Sequence, residues 1–523
     1  MSSSKIASCL LAIIWLMIAS CGAKLETIQA DVWIQNGKII DGTGAPLFQG
    51  SVAIKGDQIV FVGQSDTVNI IANTAIDAQG LIVSPGFIDP HTHSLGDLKS
   101  KSRNSNINYL TQGVTTVFVG NDGEGPSDIE GATKLLEANK IGTNVAFFVG
   151  HGTVREQVMS LSDAKPDADQ LDQMRALIKN AMVQGAYGLS TGLYYSPGSF
   201  AQTEEVIELS KEVAPFGGVY DSHIRDESSY NIGLIESVKE TLLIGKMANV
   251  PVHFAHIKAL GADVWKKSDE VIKMIETAQS NGQKVTADQY PWRFSGTHLE
   301  NALINRWVMA GSKEAYLMRL SDDRLLDKIR AEVKENIRKR GGAQSLLVTA
   351  DCKDETMLGK NLQEISEQLN LSPVEAALHI ARNSGARVAS FNMDSYDVEN
   401  FMRQPWVMTC SDGTKGHPRK YASFPKKYES YVLGKNVLDV ETFVHRSSGL
   451  VAATFGLDQR GILKNGYFAD IIIWAPDQLK PKANISNPEE LSEGIQYAFV
   501  NGQIVINGQF NGSKVGKVLL KNR

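Results

Sequence analysis

The sequence predicts an α/β fold: a TIM-like (β/α)8 barrel joined to a composite β-rich domain built from both ends of the chain. Three observations predict it. Strand-like apolar runs alternate with amphipathic helical runs through the middle of the chain, about eight to nine strands in all. His, Asp and Arg residues cluster at the C-terminal ends of those strands, where barrels carry their chemistry. The two ends of the chain share another style, short strands separated by Gly and Asp. A chain of 523 residues, 42% hydrophobic and 21% charged, suits a large barrel plus an accessory domain. A net charge of -5 leaves no basic stripe for nucleic acid. Four cysteines with no C-x-x-C pair indicate neither a disulfide scaffold nor a cysteine zinc site.

Residues 1–20 read as a bacterial lipoprotein signal peptide. Lys5 precedes the apolar run Leu10–Ile18, which is short for a membrane span and ends in small residues. Ile18-Ala19-Ser20-Cys21-Gly22 resembles a lipobox, with Cys21 as the lipidated residue. The expected product is exported and anchored to a membrane by its N-terminal lipid, facing the periplasm or on the outer membrane. Cys9 has too little apolar sequence before it to serve.

Residues 31–84 carry strands at Asp31–Ile34, Gly37–Ile40, Ser51–Ile54 and Gln58–Val62. Ala469–Trp474 and Tyr497–Val505 answer them at the other end, so 31–84 plus 441–523 are expected to form a β-sandwich-like domain. The barrel is expected over 85–440. Its strand candidates are Phe87–His91, Val114–Val119, Asn144–Val149, Gly185–Leu193, Gly218–His223, Val250–His256, Lys284–Tyr290, Ser345–Thr349 and Trp406–Cys410. Helical runs between them include Glu204–Val213, Asn231–Met247 and Ser268–Asn281. Residues 299–343 interrupt the alternation as a small insertion. Within it Leu325, Leu326, Ile329, Val333 and Ile337 form the apolar stripe of a charged helix over Asp322–Arg340. A surface helix is the reading; a lid is the alternative.

The first strand ends in the most informative feature. His91 and His93 are two apart, so on a strand both imidazoles project the same way and offer two nitrogens to a metal ion, with Asp89 just behind. His223 ends a later strand. His253 and His256 are an odd number apart, so a regular strand cannot point both inward, and His256 lies nearer the strand end. Asp412 ends the last strand and Asp122 the second.

These stretches resemble the amidohydrolase superfamily, and within it the D-aminoacylase (N-acyl-D-amino-acid deacylase) family. The resemblance runs from about residue 31 to the C-terminus. It is carried by Pro85–His93, Gly113–Val117, Gly150–Thr153, Gly188–Leu193, His223–Glu227, Ser411–Gly413 and His417–Arg419. It implies zinc, one or two ions, on His91, His93, His223 and His256, with Asp412 as general acid/base. Best-known D-aminoacylases have a cysteine ligand where this chain has Asp122, a harder anionic donor. A ligand role for Asp122 is expected, and an Asp-Gly turn is the alternative. The strand at 185–195 has no lysine to serve as a bridging carboxylated residue, which counts against the hydantoinase type. The resemblance assigns the substrate's α-carboxylate to Arg419, Lys258, Tyr290 and Tyr195. His151 reads as structural, and Cys410 as a small buried apolar residue.

The expected activity is zinc-dependent hydrolysis of N-acyl-D-amino acids, or of peptides containing D-amino acids, to a carboxylate and a free D-amino acid. The alternatives are a cyclic-amide or dipeptide hydrolase of the same superfamily and a non-catalytic surface lipoprotein that binds a ligand.

Overall fold

The computed structural model describes residues 26–521. The predicted signal peptide and Cys21 lie outside the described residues, and among those described no helix is long and apolar enough to cross a membrane.

Eight strands run parallel in chain order: β1 (Phe87–Thr92), β2 (Val114–Val119), β3 (Asn144–Phe147, resuming at Val149–Gly150), β4 (Gly188–Gly192), β5 (Val219–His223), β6 (Val252–Phe254), β7 (Val285–Gln289) and β8 (Val407–Thr409). Each pairs with the next. Just beyond β8, Gly413 bridges to Thr92, and the Asp412 amide donates to the His91 carbonyl at 3.0 Å. The eighth strand thus returns to the first. Nearly every residue of these strands is buried, polar ones included, as expected where both faces of a parallel sheet are covered. Phe87, Val117, Phe147, Leu189 and Val252 are all buried in the principal core.

Both ends of the chain meet in a second, nine-stranded sheet. Its seam is the antiparallel pair of Ile82–Pro85 with Ile471–Trp474, and the buried Trp474 indole donates to Ser84 Oγ across it at 3.1 Å. One strand of this sheet, Val68–Asp77, is absent from the sequence reading. It pairs parallel to Glu26–Ile39, and more than half of its residues face solvent, so it lacks the apolar signal that marks a buried strand. Inside the stretch assigned to the terminal domain, helices Val440–Arg446 and Gly449–Phe455 pack instead on the parallel strands: Phe443 stacks edge-on against Phe87, and Phe455 against Phe118.

The expectation for Ser345–Thr349 requires correction. The observed strand, Leu346–Ala350, does not join the parallel set. It forms a three-stranded antiparallel sheet with Arg387–Ser390 and Ser295–His298. The insertion is accordingly larger than 299–343. It has its own core, including Leu303, Val308, Leu320, Ile329, Val333, Leu346 and Leu378. A short β-branched run looks alike in either setting; only the pairing partner distinguishes them. The charged helix is present as Asp323–Lys339, capped by the Asp322 carboxylate, with Ile329, Val333 and Ile337 buried.

Candidate active site

The C-terminal ends of the parallel strands bring four imidazoles onto one carboxylate. His91 lies on β1 and His93 just past its end, His223 closes β5, and His256 follows β6. Asp122, on the turn after β2, sits among them. Its Oδ1 is 3.4 Å from both His91 Nε2 and His256 Nε2. Its Oδ2 is 3.6 Å from both His93 Nε2 and His223 Nδ1. Asp412, after β8, places Oδ1 3.3 Å from His93 Nε2 and 3.8 Å from His91 Nε2.

Backbone conformation, invisible in composition, builds this convergence. Asp122, His256 and Asp412 all have left-handed φ, at 56°, 34° and 45°. Such values are uncommon outside glycine and gather at functional sites, where the surroundings over-determine them. The surroundings are identifiable. Ser190 on β4 donates to the Gly120 carbonyl and accepts from the Gly123 amide at 3.0 Å, clamping the Asp122 turn from both sides. A side chain at Gly192 would put its Cβ 2.2 Å from the Asp122 carbonyl, so β4 can approach that turn only as glycine. Asp288 on β7 accepts from the His256 amide at 2.6 Å and from His253 Nε2 at 3.0 Å. His253 therefore faces away from the cluster and supports it from behind.

The electrostatics favour ionised carboxylates beside imidazoles. Burial pushes the Asp122 carboxyl upward, but His91, His256 and His223 together hold it well below the usual range. Burial likewise opposes ionisation of Asp412, and the Arg419 charge, with the His93 hydrogen bond, overcomes it. Asp288 reaches about 2: burial raises it, while the His253 hydrogen bond and the His91 charge lower it further.

The predicted carboxylate-gripping residues divide. Lys258, Tyr290 and Tyr195 line a cavity of about 170 Å³ that opens on the cluster. Arg419 does not line it. It is wholly buried behind the wall, with Nη1 2.8 Å from Asp412 Oδ2 and its guanidinium 4.4 Å from the Tyr290 ring. It lies beside the site, with its charge facing Asp412 and not the cavity. His151 is bonded to Glu205, 3.0 Å away, together with Arg155. Cys410 is fully buried, and burial pushes its thiol up.

Sequence reasoning missed Glu227, whose signal was its place four residues after His223. It lies behind two imidazoles, with Oε1 3.2 Å from His256 Nδ1 and Oε2 3.7 Å from His223 Nε2. Lys258 Nζ completes the group, 2.5 Å from Glu227 and 2.6 Å from His256 Nδ1. A carboxylate behind an imidazole fixes which ring nitrogen faces forward.

The residues present fit a metal. His91 Nε2, His223 Nδ1 and Asp122 Oδ1 are buried, face one another and have no hydrogen-bond partner. Such orphaned donors and acceptors are rare unless a ligand satisfies them. Two groups of ligand atoms emerge, His91, His93, Asp122 and Asp412 in one and Asp122, His223 and His256 in the other.

Comparisons with known proteins agree. Residues 74–214 match the amidohydrolase family model. A D-aminoacylase of Alcaligenes xylosoxydans xylosoxydans is 31% identical over 520 residues, covering 94% of this chain and 98% of its own. An N-acyl-D-aspartate deacylase of the same organism is 32% identical, covering 94% and 95%. The crystal structure of an N-acyl-D-glutamate deacylase from Bordetella bronchiseptica, complexed with zinc and a phosphonate inhibitor, superposes with a TM-score of 0.80 at 28% identity, covering 96% of this chain and all of that one. With near-complete coverage at this identity, and with the histidines and carboxylates converging as described, this chain belongs to the D-aminoacylase family of amidohydrolases.

Proposed function

We propose that this protein hydrolyses the amide bond of N-acyl-D-amino acids, giving a carboxylate and a free D-amino acid. The observation that carries the reading is the convergence of four imidazoles on Asp122, with His91 Nε2, His223 Nδ1 and Asp122 Oδ1 unsatisfied and Asp412 beside them. In this reading His91, His93, His223, His256 and Asp122 would hold zinc. Zinc so held lowers the pKa of water and polarises a carbonyl. Asp412, kept ionised by Arg419, accepts the proton of the attacking water and delivers it to the departing amine. Without that delivery the leaving group would be an amine anion. Glu227, 3.2 Å from His256 Nδ1, would orient that imidazole with Nε2 toward the metal. Lys258, Tyr290 and Tyr195, which line the cavity, bind the substrate's α-carboxylate in this reading. Arg419 contributes through Asp412.

The eight parallel strands, closed by the Thr92–Gly413 bridge, are read as one (β/α)8 barrel, and the nine-stranded sheet as a separate terminal domain. The lipid anchor on Cys21, and with it an exported, membrane-tethered location, is part of the same proposal. Loss of radiolabelled palmitate on Cys21→Ala tests it; label retained by the variant would refute it.

The activity is tested on protein lacking its first 21 residues, by metal content together with release of amino acid from N-acetyl-D- and N-acetyl-L-amino acids. Bound zinc with D-selective release supports the reading. Bound metal with no turnover of either series would defeat it.

A further inference from the structure

One cation in the cleft has no anionic partner. Arg340, just past the insertion helix Asp323–Lys339, is 1% exposed and lines the same cavity as the histidine cluster. Among the described residues, no Asp or Glu oxygen lies within 4.0 Å of its nitrogens. Its hydrogen bonds go to neutral groups: Nε to the Ala302 carbonyl at 3.2 Å, Nη1 to Ser390 Oγ at 3.1 Å and Nη2 to Tyr194 Oη at 3.0 Å. A guanidinium carries five N–H donors, so each terminal nitrogen keeps one uncommitted. Burying a full charge without a counter-charge is costly, and the Tyr230 ring face, 5.3 Å from the guanidinium carbon, offsets only part of it. Arg319, Arg382 and Arg446 also donate to backbone carbonyls, but none of them lines the cleft. The other cleft cations are matched: Lys258 to Glu227, and Arg387 to Asp351 at 3.2 Å.

Arg340 is also well placed. Tyr194, which it holds, stacks on His223 at 5.7 Å between ring centroids. It therefore sits one aromatic ring away from the cluster, on the wall supplied by the insertion.

We infer that Arg340 is the counter-charge for a second carboxylate on the substrate, distinct from the α-carboxylate, so that the preferred substrates are N-acyl-D-amino acids carrying an additional acidic group. This rests on the deacylase reading above. The second carboxylate could stand on the amino-acid side chain or on the acyl group, and both place the same planar anion before the guanidinium fork. Two similar proteins are a deacylase of N-acyl-D-aspartate and one of N-acyl-D-glutamate, both side-chain acids.

The test compares kcat/KM for N-acetyl-D-glutamate, N-acetyl-D-aspartate, N-succinyl-D-leucine and N-acetyl-D-leucine, in the zinc-loaded wild type and in Arg340→Met and Arg340→Lys. The wild type is expected to favour at least one diacid over N-acetyl-D-leucine by about 30-fold or more, the scale of a buried charge pair. Which diacid wins identifies the source of the second carboxylate. Arg340→Met should bring that ratio near unity, and Arg340→Lys should restore part of it. A merely structural role lowers both substrates alike and leaves the ratio unchanged; that result overturns the inference. If Arg340→Met does not fold, product inhibition of the wild type reads the same point. D-Glutamate, D-aspartate or succinate should then inhibit at lower concentration than D-leucine or acetate, and equal inhibition overturns the inference. Turnover of N-acetyl-D-leucine without diacid preference defeats this inference alone, whereas no turnover of any substrate defeats the deacylase reading with it.

Discussion

The cleft has a floor and a wall of different construction. The floor is made by the ends of the parallel strands, where His91, His223 and Asp122 are held by neighbouring strands and three residues are in left-handed conformation. The wall bearing Thr297, His298, Arg340 and Arg387 comes from the insertion, which has its own antiparallel sheet and its own core. Polar groups on the floor are satisfied by each other or await a metal. Those on the wall include Arg340, a buried cation with no carboxylate facing it among the described residues. The difference suggests a division of labour: a rigid floor fixes the chemistry, and a separately folded wall can change what is admitted without disturbing it. Fold architectures that keep catalysis on strand ends and selectivity on loops use the same separation.

That comparison can be broken most sharply on the floor. Asp412→Asn should keep metal content while kcat falls by roughly a hundred- to ten-thousand-fold, the worth of a positioned acid/base. Near-normal kcat with full zinc would remove Asp412 from the role.

On the wall, Leu303→Ala opens a cavity in the insertion core, at a cost of about 2–5 kcal/mol. Hydrogen exchange should show faster opening confined to 295–390, with KM raised more than kcat is lowered. Exchange rising equally across the parallel strands would mean that the two regions fold as one unit.

Ser190→Ala removes the clamp on the Asp122 turn and leaves the Gly123 amide and Gly120 carbonyl unmatched. Buried unsatisfied groups cost about 1–3 kcal/mol, and part of that should appear as weaker metal retention during dialysis against chelator. Unchanged retention would show that the turn holds without the serine.

The smallest effect is expected where the insertion meets the parallel-strand region at the surface. Arg338 grips Asp263 with two hydrogen bonds, at 2.9 and 2.8 Å. The Arg338 hydrogen bond, with one from Ser229, lowers the Asp263 carboxyl from 3.8 to about 2. A depressed carboxyl contributes stability above its unfolded value and loses it as pH falls toward the folded one. Asp263→Ala should therefore destabilise at pH 7 by about 0.2–1 kcal/mol, since both side chains are partly solvated, and by progressively less as pH falls through about 2. A difference that does not shrink as pH falls through that value would trace the effect to packing.

Much of the floor was legible in the chain. Two histidines at i and i+2 on an apolar run must share a face, and a histidine or aspartate closing such a run must emerge at a strand end, because strand period and strand direction are local properties. Eight of the nine predicted parallel strands lie where the same local signals put them, along with the amphipathic helix in the insertion, whereas the seam strand Ile82–Pro85 is absent from the sequence reading. What joins residues distant in sequence was decided only by the tertiary structure. Glu227 behind His223 and His256, Asp288 beneath His256, and the burial of Arg419 against Asp412 depend on which strand ends become neighbours. The strand at 346–350 has the composition of a parallel-barrel strand and pairs elsewhere, since apolar periodicity records burial and not partner. Arg340 reads in sequence as one more basic residue at the end of a charged helix. Only packing removes it from water, and only the absence of a facing carboxylate among the described residues makes its charge meaningful, because the cost of a buried ion is set by its surroundings and not by its neighbours in the chain.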